Sequence, residues 1–128
     1  MKNTPICSVV MAVYNGEETL NEAIDSILNQ TFKEFEFIIV NDASNDETES
    51  IIKSYNDPRI KYIKNDENKF LGPSLNEGIK IAKGKYIVRM DADDISYPYR
   101  IERQFKFMEE NPEVGIAGSW GDVFGLIS

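Results

Sequence analysis

Apolar residues along this chain fall into two alternating spacings. Ile6 to Val13 is an apolar run suited to a strand buried on both faces. Leu20, Ala23, Ile24, Ile27 and Leu28 follow at helical spacing. Phe35 to Val40 reads as a second strand. Ser44-Asn45-Asp46-Glu47 resembles a capping box, opening a helix through Ile51, Ile52 and Tyr55 that Asp57-Pro58 breaks. Ile60 to Ile63 is a short third strand, placed near an edge by the flanking Lys61 and Lys64. After a polar loop, Asn65 to Lys69, Gly72-Pro73 starts a helix with Leu75, Ile79 and Ala82 inward and Gly84 at its end. Tyr86 to Met90 is a fourth strand. Pro98 opens a helix with Ile101, Phe105 and Met108 inward, and Asn111-Pro112 stops it. Val114 to Ala117 reads as a fifth strand, and the stretch from Gly118 to Ser128 has no clear period.

Strands and helices alternating in this way predict an α/β fold with a mainly parallel sheet. Ligands of such sheets bind beyond the carboxyl ends of the strands. Three polar clusters fall there: Tyr14-Asn15-Gly16, Asn41-Asp42-Ala43-Ser44 and Asp91-Ala92-Asp93-Asp94. The last is the most informative. Three carboxylates packed at a strand end repel one another, and a divalent cation is the simplest partner for them. The competing reading is a solvated acidic loop ahead of the next helix.

Bulk properties narrow the choice. At 128 residues, 41% hydrophobic and 28% charged, the chain has the size and composition of one globular domain. Its net charge of -8 argues against nucleic-acid or anionic-membrane binding through general charge. A nucleotide remains compatible, because a metal ion can mediate between acids and phosphates. With no histidine, the usual imidazole bases and zinc ligands are missing. The single cysteine, Cys7, reads as a small core residue in a reducing compartment. The sequence holds no signal peptide and no apolar stretch of spanning length, so a cytoplasmic location is expected.

Individual residues carry two readings each. Asp42 is either a turn or capping residue or an acceptor for a base N–H, such as uracil N3–H. Tyr14 is either a rim aromatic or a stacking surface for a base, helped by backbone groups of Ala12 and Tyr14. Glu17 suits the first turn of a helix, and Glu18 is a weaker site candidate. Neither a Gly-x-Gly-x-x-Gly fingerprint nor a Walker A sequence occurs. Lys69, Arg89 and Arg100 are the few cations near the site, which again implies a metal for a diphosphate. Arg103 reads as solvated helix surface.

In order and spacing, Ser8-Val-Val-Met-Ala-Val-Tyr-Asn15, Ser26-Ile27-Leu28-Asn29-Gln30-Thr31, Phe37-Ile-Ile-Val-Asn-Asp-Ala-Ser44 and Met90-Asp-Ala-Asp-Asp94 form one pattern. It resembles the N-terminal half of a family 2 glycosyltransferase of the GT-A type, with a Rossmann-like sheet flanked by helices. The resemblance runs from about Ile6 to Ser119. It implies a nucleotide-sugar donor, most often a UDP-sugar, a divalent metal (Mn²⁺ or Mg²⁺), and inverting transfer to a saccharide or other hydroxyl acceptor. By position it implies base contacts from Ala12, Tyr14 and Asp42. Asp91 and Asp93 form the Asp-x-Asp pair, with Asp93 as the direct metal ligand and Asp94 adjacent.

Two positions depart from the pattern: Phe70 replaces a glycine, and Leu75 stands where some members carry Arg. The C-terminal half of the fold, which in the family holds the acceptor site and catalytic base, is expected to be missing after strand five. Apolar surface around Trp120, Phe124, Leu126 and Ile127 would then favour self-association. Two other readings compete. A module that binds nucleotide-sugar without turnover would share these motifs. A phosphoacceptor receiver domain expects an acidic pair after strand one and a lysine after strand five, where this chain has Tyr14-Asn15 and Gly118-Ser119.

Overall fold

The computed structural model describes residues 4–119 and 122–126, with side chains as far as residue 115. The elements run β1 (Cys7–Val13), α1 (Leu20–Leu28), β2 (Phe35–Asn41), α2 (Thr48–Lys53), β3 (Ile60–Lys64), α3 (Leu71–Ile81), β4 (Tyr86–Asp91), α4 (Arg100–Glu110), β5 (Ile116–Ser119) and β6 (Asp122–Leu126). They build one sheet in the order β3-β2-β1-β4-β6-β5. The first four strands are parallel, whereas β6 is antiparallel to both β4 and β5. The sequence order reverses about β1, which opens the cleft expected at such a switch point.

β1 and β2 are buried along their whole length, which is why both read as apolar runs rather than alternating ones. Helices cover both faces of the sheet. Cys7, Val9, Met11 and Val13 of β1 pack with Leu20, Ala23, Ile24 and Ile27 of α1 and with Ile101 and Met108 of α4. Val10 and Ala12 point the other way and pack with Ile38, Val40 and the partly buried Leu75 and Ala82. Two polar residues inside these runs satisfy each other. Ser8 Oγ donates to Glu36 Oε2 at 2.5 Å, the same oxygen accepts the Lys83 N–H at 2.6 Å, and Ser8 Oγ accepts the Gly84 N–H at 2.9 Å. Gly84 therefore belongs to the turn into β4, beyond the end of α3 at Ile81.

Several expectations are corrected. The Ser44–Glu47 capping box is not formed: α2 begins at Thr48, after Glu47, with no side-chain cap bond. The hydroxyl of Ser44 is instead taken by the Asn15 N–H, at 2.9 Å. On α3 the fully buried positions are Ser74 and Gly78, while Ile79 is 37% exposed. The helix lies so close to the sheet that a Cβ on Gly78 would sit 2.7 Å from Val10 Cγ1. Small residues make that contact, so the apolar spacing misplaces the inward face. The fifth strand starts at Ile116, two residues later than expected, and a sixth strand follows it. Glycines at 118, 121 and 125 interrupt the apolar pattern through which β5 and β6 would be recognised.

Of the tail residues expected to self-associate, Trp120 and Ile127 lie outside the described residues, and Phe124 and Leu126 are described only as backbone of β6. Cys7 is fully buried, and burial pushes its thiol up to about 12, with Glu109 adding to the effect. It is a core residue with no thiolate at neutral pH. No helix among the described residues is long and apolar enough to cross a membrane.

Candidate functional site

The three polar clusters meet at the carboxyl edge of the sheet. Ala12, near the end of β1, is aligned with Val40 on one side and Asp91 on the other. The loops after β1 and β2 are laced together. The N–H groups of Asn15, Gly16 and Glu17 donate to Ser44 Oγ, Thr48 Oγ1 and Asp46 Oδ2 at 2.9, 2.9 and 3.2 Å. In the reverse direction, Asn45 N–H donates to Asn15 Oδ1 and Glu47 N–H to Glu17 Oε1, at 2.8 and 3.0 Å. Glu17 thus has a structural task, though not the expected one: α1 begins at Leu20, and Glu17 ties the loop after β2 instead of serving the first turn of a helix. Gly16 is confined by Val13, whose Cγ2 would lie 2.6 Å from a Cβ there.

Asp42 stands at the centre of this edge and is 3% exposed. Its N–H donates to the Val13 carbonyl at 2.8 Å. Oδ1 accepts from Asn65 Nδ2 at 2.9 Å and from the Lys69 N–H at 2.8 Å, and Oδ2 accepts from the Phe70 N–H at 2.9 Å. Burial pushes this carboxyl up, but the Asn65 amide and the two backbone donors together hold it below the usual carboxylate range. Asp42 is therefore an ionised, nearly buried acceptor that shapes the Asn65–Phe70 loop. A carboxylate oxygen offers two lone pairs, so Oδ2 keeps one acceptor position beyond its bond to Phe70.

The acidic loop is held as firmly from behind. The carboxylate oxygens of Asp91, Asp93 and Asp94 come within 4.8 Å of one another. At that separation each pair repels by about 1 kcal/mol in water, and more where water is excluded. Arg89 Nη2 lies 3.3 Å from Asp91 Oδ1. Among the described residues Asp93 and Asp94 have no salt-bridge partner. Asp94 N–H closes a turn onto the Asp91 carbonyl at 3.1 Å, and Thr19 Oγ1 donates to the Ala92 carbonyl at 3.0 Å. Downstream, Ser96 N–H donates to Ser26 Oγ at 3.1 Å, and Gln30 Nε2 donates to the Tyr97 carbonyl at 2.6 Å. Hard carboxylate oxygens gathered this closely, partly exposed and poor in cationic partners, fit Mg²⁺ or Mn²⁺.

Residues 8–126 match the family model for glycosyl transferase family 2. The chain belongs to this family. An uncharacterized glycosyltransferase of Methanocaldococcus jannaschii is 52% identical over 120 residues, covering 91% of this chain and 41% of that protein. One of Haemophilus influenzae is 41% identical over 125 residues, covering 96% of this chain and 39% of the relative. The chain thus spans about two fifths of the length of these relatives. Among solved structures, S. aureus TarS 1-349 in complex with UDP-GlcNAc superposes with a TM-score of 0.79 at 29% identity, over 83% of this chain and 32% of TarS. The mannosyltransferase PcManGT from Pyrobaculum calidifontis, in complex with GDP-Man and Mn²⁺, gives 0.79 at 25% identity, over 89% of this chain and 35% of the other. The fold is accordingly the GT-A arrangement.

In this family 2 domain the residues singled out from sequence occupy one edge. Ala12 is 8% exposed, Tyr14 is 51% exposed at the rim, and Asp42 lies between the β1 and β3 ends. Glu18 lines a hollow of about 350 Å³ with Asn15, Gly16, Glu17, Thr19 and Asp46. The cations sort differently from expectation. Lys69 is engaged by Glu77 at 2.8 Å. Arg100, 6% exposed, donates from Nη1 to Ser96 Oγ and from Nη2 to the Arg89 carbonyl at 2.9 and 3.1 Å, so it supports the acidic loop from within. Of the three, Arg89 reaches the carboxylates. Arg103 is exposed, with its guanidinium 4.3 Å from the centre of the Tyr99 ring.

Gln30, Asn65, Ser26 and Thr19 have positioning tasks that reading one residue at a time did not assign. For Gln30 a signal existed. It continues the inward stripe of Ala23 and Ile27, and a polar residue at such a position calls for a buried partner.

Proposed function

We propose that this chain is the donor-binding part of an inverting glycosyltransferase that takes a UDP-sugar. The observation that carries this reading is the alignment of Ala12 with both Val40 and Asp91. It puts the buried acceptor Asp42, after β2, and the acidic loop, after β4, on the two strands that flank β1, roughly 10 Å apart at the ordinary strand spacing. Family membership and neighbours solved with UDP-GlcNAc and with GDP-Man support it.

In this reading the uracil lies over Ala12 and against Tyr14, with its N3–H donated to the remaining acceptor position of Asp42. Glu18 lies at the rim on the ribose side. Asp91 orients the donor, and Asp93 and Asp91 hold Mn²⁺ or Mg²⁺. A bound ion of this kind supplies Lewis-acid stabilisation of the charge that grows on the leaving diphosphate. The acceptor oxygen bonds to the anomeric carbon from the face opposite the diphosphate, the bond to the diphosphate breaks, and the acceptor's proton passes to a base. That base is not assigned to any residue of this chain.

The test is calorimetry of UDP with the 128-residue chain in Mn²⁺ and in chelator, repeated with N3-methyl-UDP. Binding that needs the ion and falls on N3-methylation is expected. Equal affinity for the methylated nucleotide would remove Asp42 from base recognition, and indifference to chelator would remove the metal.

A further inference from the structure

The loop after β3 ends in a backbone conformation that its sequence disfavours. Phe70 has φ 73° and ψ 173°. That region is essentially reserved for glycine, because a Cβ there crowds its own backbone. Hydrophobic burial does not offset the strain, since Phe70 is 74% exposed. The conformation is imposed from outside the residue: Asp42 Oδ2 accepts the Phe70 N–H at 2.9 Å, and Asn68 Oδ1 accepts it at 3.2 Å. Across Asp42, the Val13 carbonyl accepts the Asp42 N–H at 2.8 Å, and the next residue, Tyr14, is itself 51% exposed.

Two exposed aromatic residues therefore flank Asp42: Phe70 through its own N–H to the carboxylate, and Tyr14 through the carbonyl of the residue before it, which accepts the Asp42 N–H. A strained backbone that keeps a phenyl ring in water is costly twice over, and a ligand covering the ring would offset both costs. Resting on the donor-binding reading, we infer that Phe70 and Tyr14 form an aromatic clamp. They stack on the two faces of the nucleobase while Asp42 accepts from its edge. Stacking is tolerant of base identity, so the clamp supplies affinity and Asp42 supplies the choice. The strained backbone also holds Phe70 at the rim before the base arrives, so less ordering remains to be done on binding.

Titration of UDP, GDP and inorganic pyrophosphate, each with Mn²⁺, tests the clamp in the full chain. Phe70→Ala should weaken UDP and GDP alike by about 5- to 150-fold and leave pyrophosphate unchanged. Phe70→Trp should retain UDP affinity. Phe70→Gly should raise the thermal midpoint, because the positive φ is relieved, while UDP affinity falls. Undiminished UDP affinity in both the Ala and Gly variants would overturn the clamp and leave the donor-binding reading intact. A parallel loss of pyrophosphate binding would also overturn it, by moving Phe70 to the diphosphate. If the unsubstituted chain binds UDP no better than pyrophosphate, the donor reading and the clamp fall together.

Discussion

Gln30 accepts the backbone N–H of Ile101 through its side-chain Oε1 at 3.0 Å, although the two residues lie 71 positions apart. The same side chain, 0% exposed, donates to the carbonyls of Ser26 and Tyr97. Next to it, Thr31 N–H donates to the Pro98 carbonyl at 2.7 Å. The end of α1 therefore fixes both the start of α4 and the segment that leads into it from the acidic loop. Gln30→Leu keeps the volume but leaves the buried Ile101 N–H without its acceptor and the Ser26 and Tyr97 carbonyls without their donor. Loss of about 2 kcal/mol of stability is expected in urea unfolding. The Mn²⁺-dependent part of UDP affinity should fall as well, since the Tyr97 carbonyl would lose its anchor below the acidic loop. A variant with full metal-dependent binding would show that the acidic loop is set without Gln30, by Thr19, Ser26 and Arg100.

At the acidic loop, the two aspartates proposed as ligands should not behave alike. Asp93 is exposed and without a salt-bridge partner among the described residues, whereas Asp91 Oδ1 faces Arg89 Nη2 at 3.3 Å. Asp93→Ala should reduce UDP affinity in Mn²⁺ to its value in chelator. Asp91→Ala should cost less, because it frees the Arg89 guanidinium to meet the diphosphate. Calorimetry on both variants decides it, and equal losses would mean that Arg89 gives no compensation.

Asp42 predicts an acid sensitivity with a defined sign. Its carboxyl is held below the usual carboxylate range by Asn65, Lys69 and Phe70, which outweigh its burial. The stability tied to this depression is fully present above the unfolded-state value near 3.8 and is lost as pH falls through the lower folded-state value. Asp42→Asn should be less stable than the parent at pH 7, because an amide cannot accept all three bonds. It should lose less on going from pH 5 to pH 2.5. Urea midpoints across that range check both signs, and parallel curves would locate the acid sensitivity in other depressed carboxylates such as Asp46 and Asp57.

Much of this architecture was legible in the sequence, and the failures have physical causes. The runs of β1 and β2 are apolar because both strands are buried on both faces, so period and burial agreed. The polar clusters could be placed at one edge because parallel strands all end on the same side. Ser44 was misread because its hydroxyl serves another loop rather than the helix that follows it, a tertiary choice that local spacing cannot carry. Arg100 was grouped with the cations available at the site, yet it is buried under the loop that it supports. Strands β5 and β6 were blurred by glycines and by a hairpin that joins an otherwise parallel sheet from the far side of β4.

The glycines of α3 make the sharpest packing prediction, because two in one helix should respond with opposite signs. An alanine ordinarily stabilises a helix interior by about 1 kcal/mol relative to glycine. Apart from its chain neighbours nothing lies within 4 Å of a Cβ built on Gly72, so Gly72→Ala should show a gain, kept below that size because Pro73 crowds the Cβ of a helical residue before it. A Cβ on Gly78 would meet Val10 Cγ1 at 2.7 Å and the Cγ2 atoms of Ile38 and Val40 at 3.3 Å. All three neighbours are β-branched, fully buried and fixed in the sheet, so none can swing aside. The helix itself would have to lift, and overpacking of this kind costs about 1–3 kcal/mol. Gly78→Ala should therefore be net destabilising despite its better helix propensity. It should also weaken UDP binding, because lifting α3 moves Ser74, whose Oγ accepts from the Asn65 amide that bonds Asp42. Thermal melts of the two variants decide the matter. A stabilised Gly78→Ala would mean that α3 does not rest on the sheet through its small residues.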